Sequence, residues 1–222
     1  SFEEAAVVFI STFSLGAIRK CRVEIGESAL VMGCGLLGQF AVKLLHAAGA
    51  APIIAADPVL ARREEALRNG ADDAFDPKEK NFAENVKDIT GKGANVVIEV
   101  TGVGAGLDEA LDCTARFGRV ALLGCTRNSD FSIDYYHKIH TPGITLVAHT
   151  MARPEEESSA GWFTQRDDMM AVLRLLKTGR ISYREMLPEV LYSPKQCAEA
   201  YDHIMHDRSF PTVAQFDWRK LS

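Results

Sequence analysis

The stretch that most constrains the fold is Ala29–Met32 followed at once by Gly33-Cys34-Gly35-Leu36-Leu37-Gly38. A short apolar run bounded by glycine reads as a buried strand. Leu36–Ala48, apolar at three- and four-residue spacing, reads as an amphipathic helix. The three glycines between and within these elements each have a task. Gly33 permits the tight turn, Gly35 lets backbone approach a pyrophosphate, and Gly38 lets helix and strand close on each other. The helix start offers unpaired N–H groups and the positive end of its dipole to the same point. An empty turn needs no such spacing, so Gly33, Gly35, Leu36, Leu37 and Gly38 are candidate contacts to a dinucleotide.

The same alternation continues to His149. Pro52–Ala56, Asp73–Phe75, Val96–Val100, Val120–Leu123 and Ile144–Ala148 read as five further strands, the third of the six short. Leu60–Asn69, Phe82–Thr90 and Leu107–Thr114 read as helices between them. Gly49, Gly70, Gly91 and Gly118 follow these helices, where left-handed geometry ends them. Alternating strand and helix predicts an α/β fold, a doubly wound six-stranded parallel sheet of the Rossmann type. Outside it, Phe2–Cys21 reads as a helix leading into the first strand. Later come helices at Asp167–Thr178 and Pro194–His206, an extended piece at Met186–Leu191 and a last strand at Thr212–Phe216.

Asp57 ends the second strand, nineteen positions after Gly38 (38 to 57). An acidic residue about twenty positions on accepts hydrogen bonds from the adenosine ribose hydroxyls. It also repels a 2′-phosphate, at a cost on the order of 4 kcal/mol for like charges ~4 Å apart near a surface. NAD is therefore expected over NADP. Asp57 has the alternative of capping the next helix, and Arg62 and Arg63 have that of receiving a phosphate. The favoured assignment stacks Arg62 along the adenine and leaves Arg63 in solvent. Small residues past two further strands, Thr101-Gly102-Val103 and Gly124-Cys125-Thr126, mark the other half of the crevice.

Composition narrows the classes. A net charge of −5 argues against a nucleic-acid surface. No run of eighteen apolar residues is present to span a bilayer, and the opening Ser1-Phe2-Glu3-Glu4 lacks the basic start of a signal peptide, so a cytoplasmic location is expected. The five cysteines are widely spaced and form no CxxC pair, which argues against a disulfide framework and a tetra-Cys zinc site. His137 and His140, and His203 and His206, form HxxH pairs without a third ligand at fixed spacing, so no metal is expected on them.

With these residues in place, the chain resembles the C-terminal portion of the medium-chain, zinc-type alcohol and polyol dehydrogenases over essentially its whole length. The resemblance rests on Gly26-Glu27-Ser28-Ala29, Gly33–Gly38, and Asp57 with Arg62, Ala66 and Gly70-Ala71-Asp72. Val97-Ile98-Glu99-Val100-Thr101-Gly102 and Arg119-Val120-Ala121-Leu122-Leu123-Gly124 complete it, in the family's order.

The resemblance implies an NAD-binding domain at 23–150, with 1–22 and 151–222 belonging to a catalytic domain whose larger part, carrying the zinc ligands and proton relay, lies in a preceding segment. No catalytic or metal residue is then expected in this chain, and zinc only in the full-length enzyme. Thr101, Gly102 and Val103 would lie along the nicotinamide, with Cys125 and Thr126 close by. The substrate would be a small alcohol or polyol, and a homodimer would form through the sheet edge at Ile144–His149. The competing expectations are a non-catalytic dinucleotide-binding or redox-sensing module, and a non-zinc quinone or enoyl reductase.

Overall fold

The structure is a computed structural model, and it describes residues 1–124, 131–149, 156–207 and 212–221. In chain order the main elements are α1 (Phe2–Ala6), α2 (Val8–Cys21), β1 (Ala29–Met32), α3 (Leu36–Ala48), β2 (Ile53–Ala56), α4 (Leu60–Arg68), β3 (Asp73–Phe75) and α5 (Phe82–Thr90). There follow β4 (Ala94–Glu99), α6 (Gly104–Asp112), β5 (Thr114–Leu122), β6 (Thr145–Ala148), α7 (Gln165–Lys177) and α8 (Cys197–His206). These elements divide into two units, Val8–Ile181 and Ser1–Val7 with Ser182–Ser222.

The larger unit is the parallel six-stranded sheet, in the order β3-β2-β1-β4-β5-β6. This is the doubly wound order, with the reversal between β1 and β4. The central strands are buried on both faces, which explains their unbroken apolar runs. On one face Leu30, Met32, Ile54, Val97 and Val120 pack against Phe82 and Val86 of α5 and Ala110 and Leu111 of α6. On the other lie α2 and α3.

Helix α2 carries three buried hydroxyls. Ser11 and Thr12 donate within the helix to the carbonyls of Val8 and Phe9, while Ser14 Oγ donates to Leu37 O at 2.7 Å and ties α2 to the first turn of α3. Gly16 is glycine because the His149 imidazole occupies the place of a side chain there.

Several elements differ from the sequence pattern. The helix expected over Phe2–Cys21 breaks at Val7. β5 starts at Thr114, six residues before the expected 120. Its first part pairs Ala94 with Thr114, and the register shifts before Val96 meets Arg119. Phe117, in this irregularity, has φ +61°. Gly118 accordingly lies inside the strand, where a Cβ would press on the Thr114 side chain, and ends no helix. α6 is displaced towards the N-terminus, to Gly104–Asp112.

In the smaller unit, α1 opens with a capping box between Ser1 and Glu4. The buried Glu4 carboxylate accepts from the Tyr183 backbone N–H at 3.1 Å and Ser182 Oγ at 3.3 Å. The extended piece expected at Met186–Leu191 begins instead as a 3-10 turn, Arg184–Met186. The strand expected at Thr212–Phe216 is reduced, among the described residues, to one parallel bridge between Tyr192 and Phe216. A strand holds its backbone extended only where a neighbouring strand satisfies it along its length, and a single bridge does not.

Candidate functional site

At the C-terminal ends of the strands each exit is stitched to its neighbour. The Asp57 N–H donates to Phe75 O, Gly33 N–H to Ala56 O, Val100 N–H to Met32 O, and Leu123 N–H to Glu99 O, all between 2.8 and 3.2 Å. The loops that carry the candidate residues thus leave the sheet as one fixed rim, at the topological switch point where such folds open a crevice.

The glycine turn behaves as its spacing predicts. Gly33 has φ +96°, a value L side chains rarely adopt, and its missing Cβ leaves room for the Thr101 backbone nitrogen 3.2 Å away. A methyl on Gly38 would collide with the carbonyl oxygen of Gly33, so helix and turn meet only through this glycine. Gly35 is different. It begins α3 with φ −69° and no side-chain cap, and a Cβ on it would meet nothing within 4 Å. The open space above Gly35 and the uncapped start of α3 face the same place, and that combination suits an anionic group.

Asp57 is buried beside this turn. One carboxylate oxygen accepts from the Cys34 N–H at 2.9 Å and the other from the Val59 N–H at 2.8 Å, at the start of α4. The bond to Val59 N–H closes a turn two residues on and does not cap α4, whose N-cap is Val59 without a side-chain hydrogen bond; a carboxylate has about four lone-pair sites, so two remain. Arg62 is half exposed with Nη1 3.7 Å from Asp57 Oδ2. Arg63, expected in solvent, is instead mostly buried and donates to Asp57 O at 2.7 Å. The reason is the helical turn, which points successive side chains about a hundred degrees apart.

The Cys34 thiol is fully buried, and burial, with the Asp57 carboxylate adding to it, pushes its pKa up to about 12.

On the far side of β1, Glu99 ends β4 with its carboxylate buried. It accepts from the Thr101 backbone N–H at 2.7 Å, from the Thr101 hydroxyl and from the Gly102 N–H. Burial raises its pKa against those hydrogen bonds, and among the described residues no cation forms an ion pair with it. The Thr101 hydroxyl in turn accepts from the Val103 N–H at 3.2 Å. Gly124 lies so close that a Cβ on it would stand 2.5 Å from Gly102 N. The structure thus brings Gly33, Thr101, Gly102 and Gly124 together. Val103 is exposed at the start of α6. Cys125 and Thr126 lie outside the described residues.

Sequence reasoning missed Gln39, Asn69 and the inward carboxylate of Glu99. Gln39 was detectable as a lone amide among Phe40, Ala41 and Val42 on the buried face of α3. Of the histidine pairs, His137 and His140 lie on an exposed π-helical turn, Tyr136–His140, and His203 and His206 on α8. Among the described residues no three His, Cys, Asp or Glu side chains stand together as a metal site.

The chain matches the zinc-binding dehydrogenase family over residues 37–165. It is 34% identical over 192 residues to D-guloside 3-dehydrogenase of Escherichia coli, covering 86% of this chain and 55% of that one. It is also 34% identical over 158 residues to L-threonine 3-dehydrogenase of Pyrococcus abyssi, covering 71% and 42%. Among solved structures, 2R,3R-butanediol dehydrogenase from Bacillus subtilis superposes with a TM-score of 0.78 at 26% identity, over 93% of this chain and 55% of that one. The chain spans about half the length of the curated relatives it matches. By these matches, the chain belongs to the zinc-binding dehydrogenase family.

Proposed function

We propose that this chain holds NAD for a dehydrogenase that transfers hydride between the nicotinamide and a hydroxyl-bearing carbon of a small alcohol or polyol. The observation that carries the reading is the open, uncapped start of α3 at Gly35, set beside a buried Asp57 carboxylate on the same rim. When bound, the nicotinamide supplies the carbon that gives or accepts the hydride.

The chain's own residues bind and orient it. The first N–H groups of α3, at Leu36 and Leu37, would receive the pyrophosphate. Asp57 would accept from the ribose hydroxyls with its remaining lone pairs and repel a 2′-phosphate, a repulsion that Arg62 offsets in part. The turn Thr101-Gly102-Val103, held by Glu99, would lie along the nicotinamide. The relatives' names support dehydrogenation of a hydroxyl compound. The zinc-bearing chemistry of the family is assigned to residues other than those described.

In this reading residues 1–22 and 151–222 are the chain's share of the catalytic domain, and 23–150 is the cofactor domain. A second copy would pair at β6, which stands at the sheet edge with Thr145, Leu146 and Ala148 exposed. Light scattering that finds a strict monomer would remove that part. Three of the four described cysteines are buried, and all four are free thiols, which supports a reducing, cytoplasmic compartment. Among the described residues no helix is long and apolar enough to cross a membrane.

Thermal protection tests the core of the reading. ADP-ribose and NADH should both raise the melting midpoint by mass action, and absence of any rise at millimolar ligand would contradict it.

A further inference from the structure

Gln39 is fully buried one residue beyond the last glycine of the turn, among apolar neighbours. Its amide nitrogen donates to two backbone carbonyls, Cys34 O of the glycine turn at 3.0 Å and Arg62 O of the first turn of α4 at 2.9 Å. Its amide oxygen accepts from Asn69 Nδ2 at 2.8 Å. The orientation is unambiguous, because two carbonyl oxygens can only accept and so require the NH₂ end of the amide. Asn69 then fixes the other end.

We propose that Gln39 is a positioning residue for dinucleotide binding, a strut that sets the separation between the glycine turn and the first turn of α4. The proposal rests on the cofactor reading above and adds to it a group that touches no ligand. Cys34 lies between two of the glycines, and both its backbone polar groups are used: its N–H on Asp57 and its carbonyl on Gln39. Both peptide planes of Cys34 are thereby held, which aims the peptides that follow at the pyrophosphate position. On the other side, Val59 N–H and Arg62 O of the α4 start are held by Asp57 and Gln39 respectively. The two side chains are parallel struts across one gap. An apolar side chain of similar volume would fill the space while removing the donor from Cys34 O, the link to Arg62 O and the partner of the Asn69 amide, and the gap would be free to open.

The test compares the chain with Gln39→Glu, Asn69→Leu, Asp57→Asn and the Gln39→Glu/Asp57→Asn pair, titrated with ADP-ribose and NADH well below each melting midpoint. Gln39→Glu keeps the shape but can offer at most one proton to the two carbonyls. It should weaken both ligands at least tenfold, and the pair should lose less than the product of its single losses, because both changes release one gap. Should Gln39→Glu fail to fold, Asn69→Leu, which leaves the Gln39 amide oxygen without its donor, should still weaken both ligands several-fold. A lowered midpoint with unchanged dissociation constants, or losses that multiply, would overturn the proposal. Failure of the unaltered chain to bind either ligand would instead overturn the cofactor reading, and this proposal with it.

Discussion

Cys34 and Asp57 are joined by a hydrogen bond of 2.9 Å from the backbone N–H of the first to Oδ2 of the second. The exits of β1 and β2 are thereby locked together, and the carboxylate is fixed before any ligand arrives. A group held this way spends no ordering entropy on binding. The same bond means that Asp57 serves fold and site at once.

Asp57→Ala should therefore have two effects. Stability falls by about 1–3 kcal/mol, the usual loss when buried donors are left unpaired, here the Cys34 and Val59 N–H groups. NADH binding weakens while the preference over NADPH shrinks. Urea denaturation measures the first effect and titration with both cofactors the second. Unchanged affinity for both cofactors would remove Asp57 from the site.

The glycines separate folding from binding. Gly38→Ala places a methyl on the Gly33 carbonyl and should cost about 1–3 kcal/mol, the range for forced overpacking. Gly35→Ala meets only open space at an ordinary φ, so stability should change by less than about 1 kcal/mol, the scale of an N-cap exchange. Its methyl nevertheless stands where the pyrophosphate would approach, and NADH affinity should drop at least tenfold. Paired denaturation curves and titrations check both variants.

Cys34, Cys21 and Cys113 are buried, and burial pushes each thiol up to about 12. At pH 8 these three should resist a disulfide reagent in the native chain, while the exposed Cys197 reacts. Mass spectrometry after brief labelling reads the outcome directly. Rapid native labelling of Cys34 would contradict the buried turn.

Glu99 gives a dependence on pH. Its folded pKa is raised by burial, so the folded state binds this proton more tightly than the unfolded chain. The associated stability is fully present below the ordinary glutamate value and is lost as pH rises through the higher folded value. Glu99→Gln should flatten that part of the stability profile. An identical pH profile in the variant would show that the carboxylate is not the group responsible.

How much of this was legible in sequence depended on where partners lie. β1 and α3 match their expected limits because an apolar run ending in Gly33 and a periodic run ending in Gly49, which is left-handed at φ +85°, mark themselves. The start of β5 did not, since Arg116-Phe117-Gly118 carries a charge and a glycine, and its strand character comes from pairing with β4 across a register shift. Gln39 marks itself as a lone amide on a buried helix face, but its partners and that of Arg63 are backbone carbonyls, which no residue pattern announces. Glu99 stood inside the expected strand Val96–Val100 with no role of its own. Only the fold of the Thr101 turn over it shows that the carboxylate faces inward.

The most direct test of the central claim is calorimetric titration of the chain and its Gly35→Ala variant with NADH and, separately, NADPH at one ionic strength. The account predicts that the unaltered chain binds NADH in preference to NADPH and that the variant, equally folded, binds neither well. Equal binding of both cofactors, or undiminished binding by the variant, would contradict it.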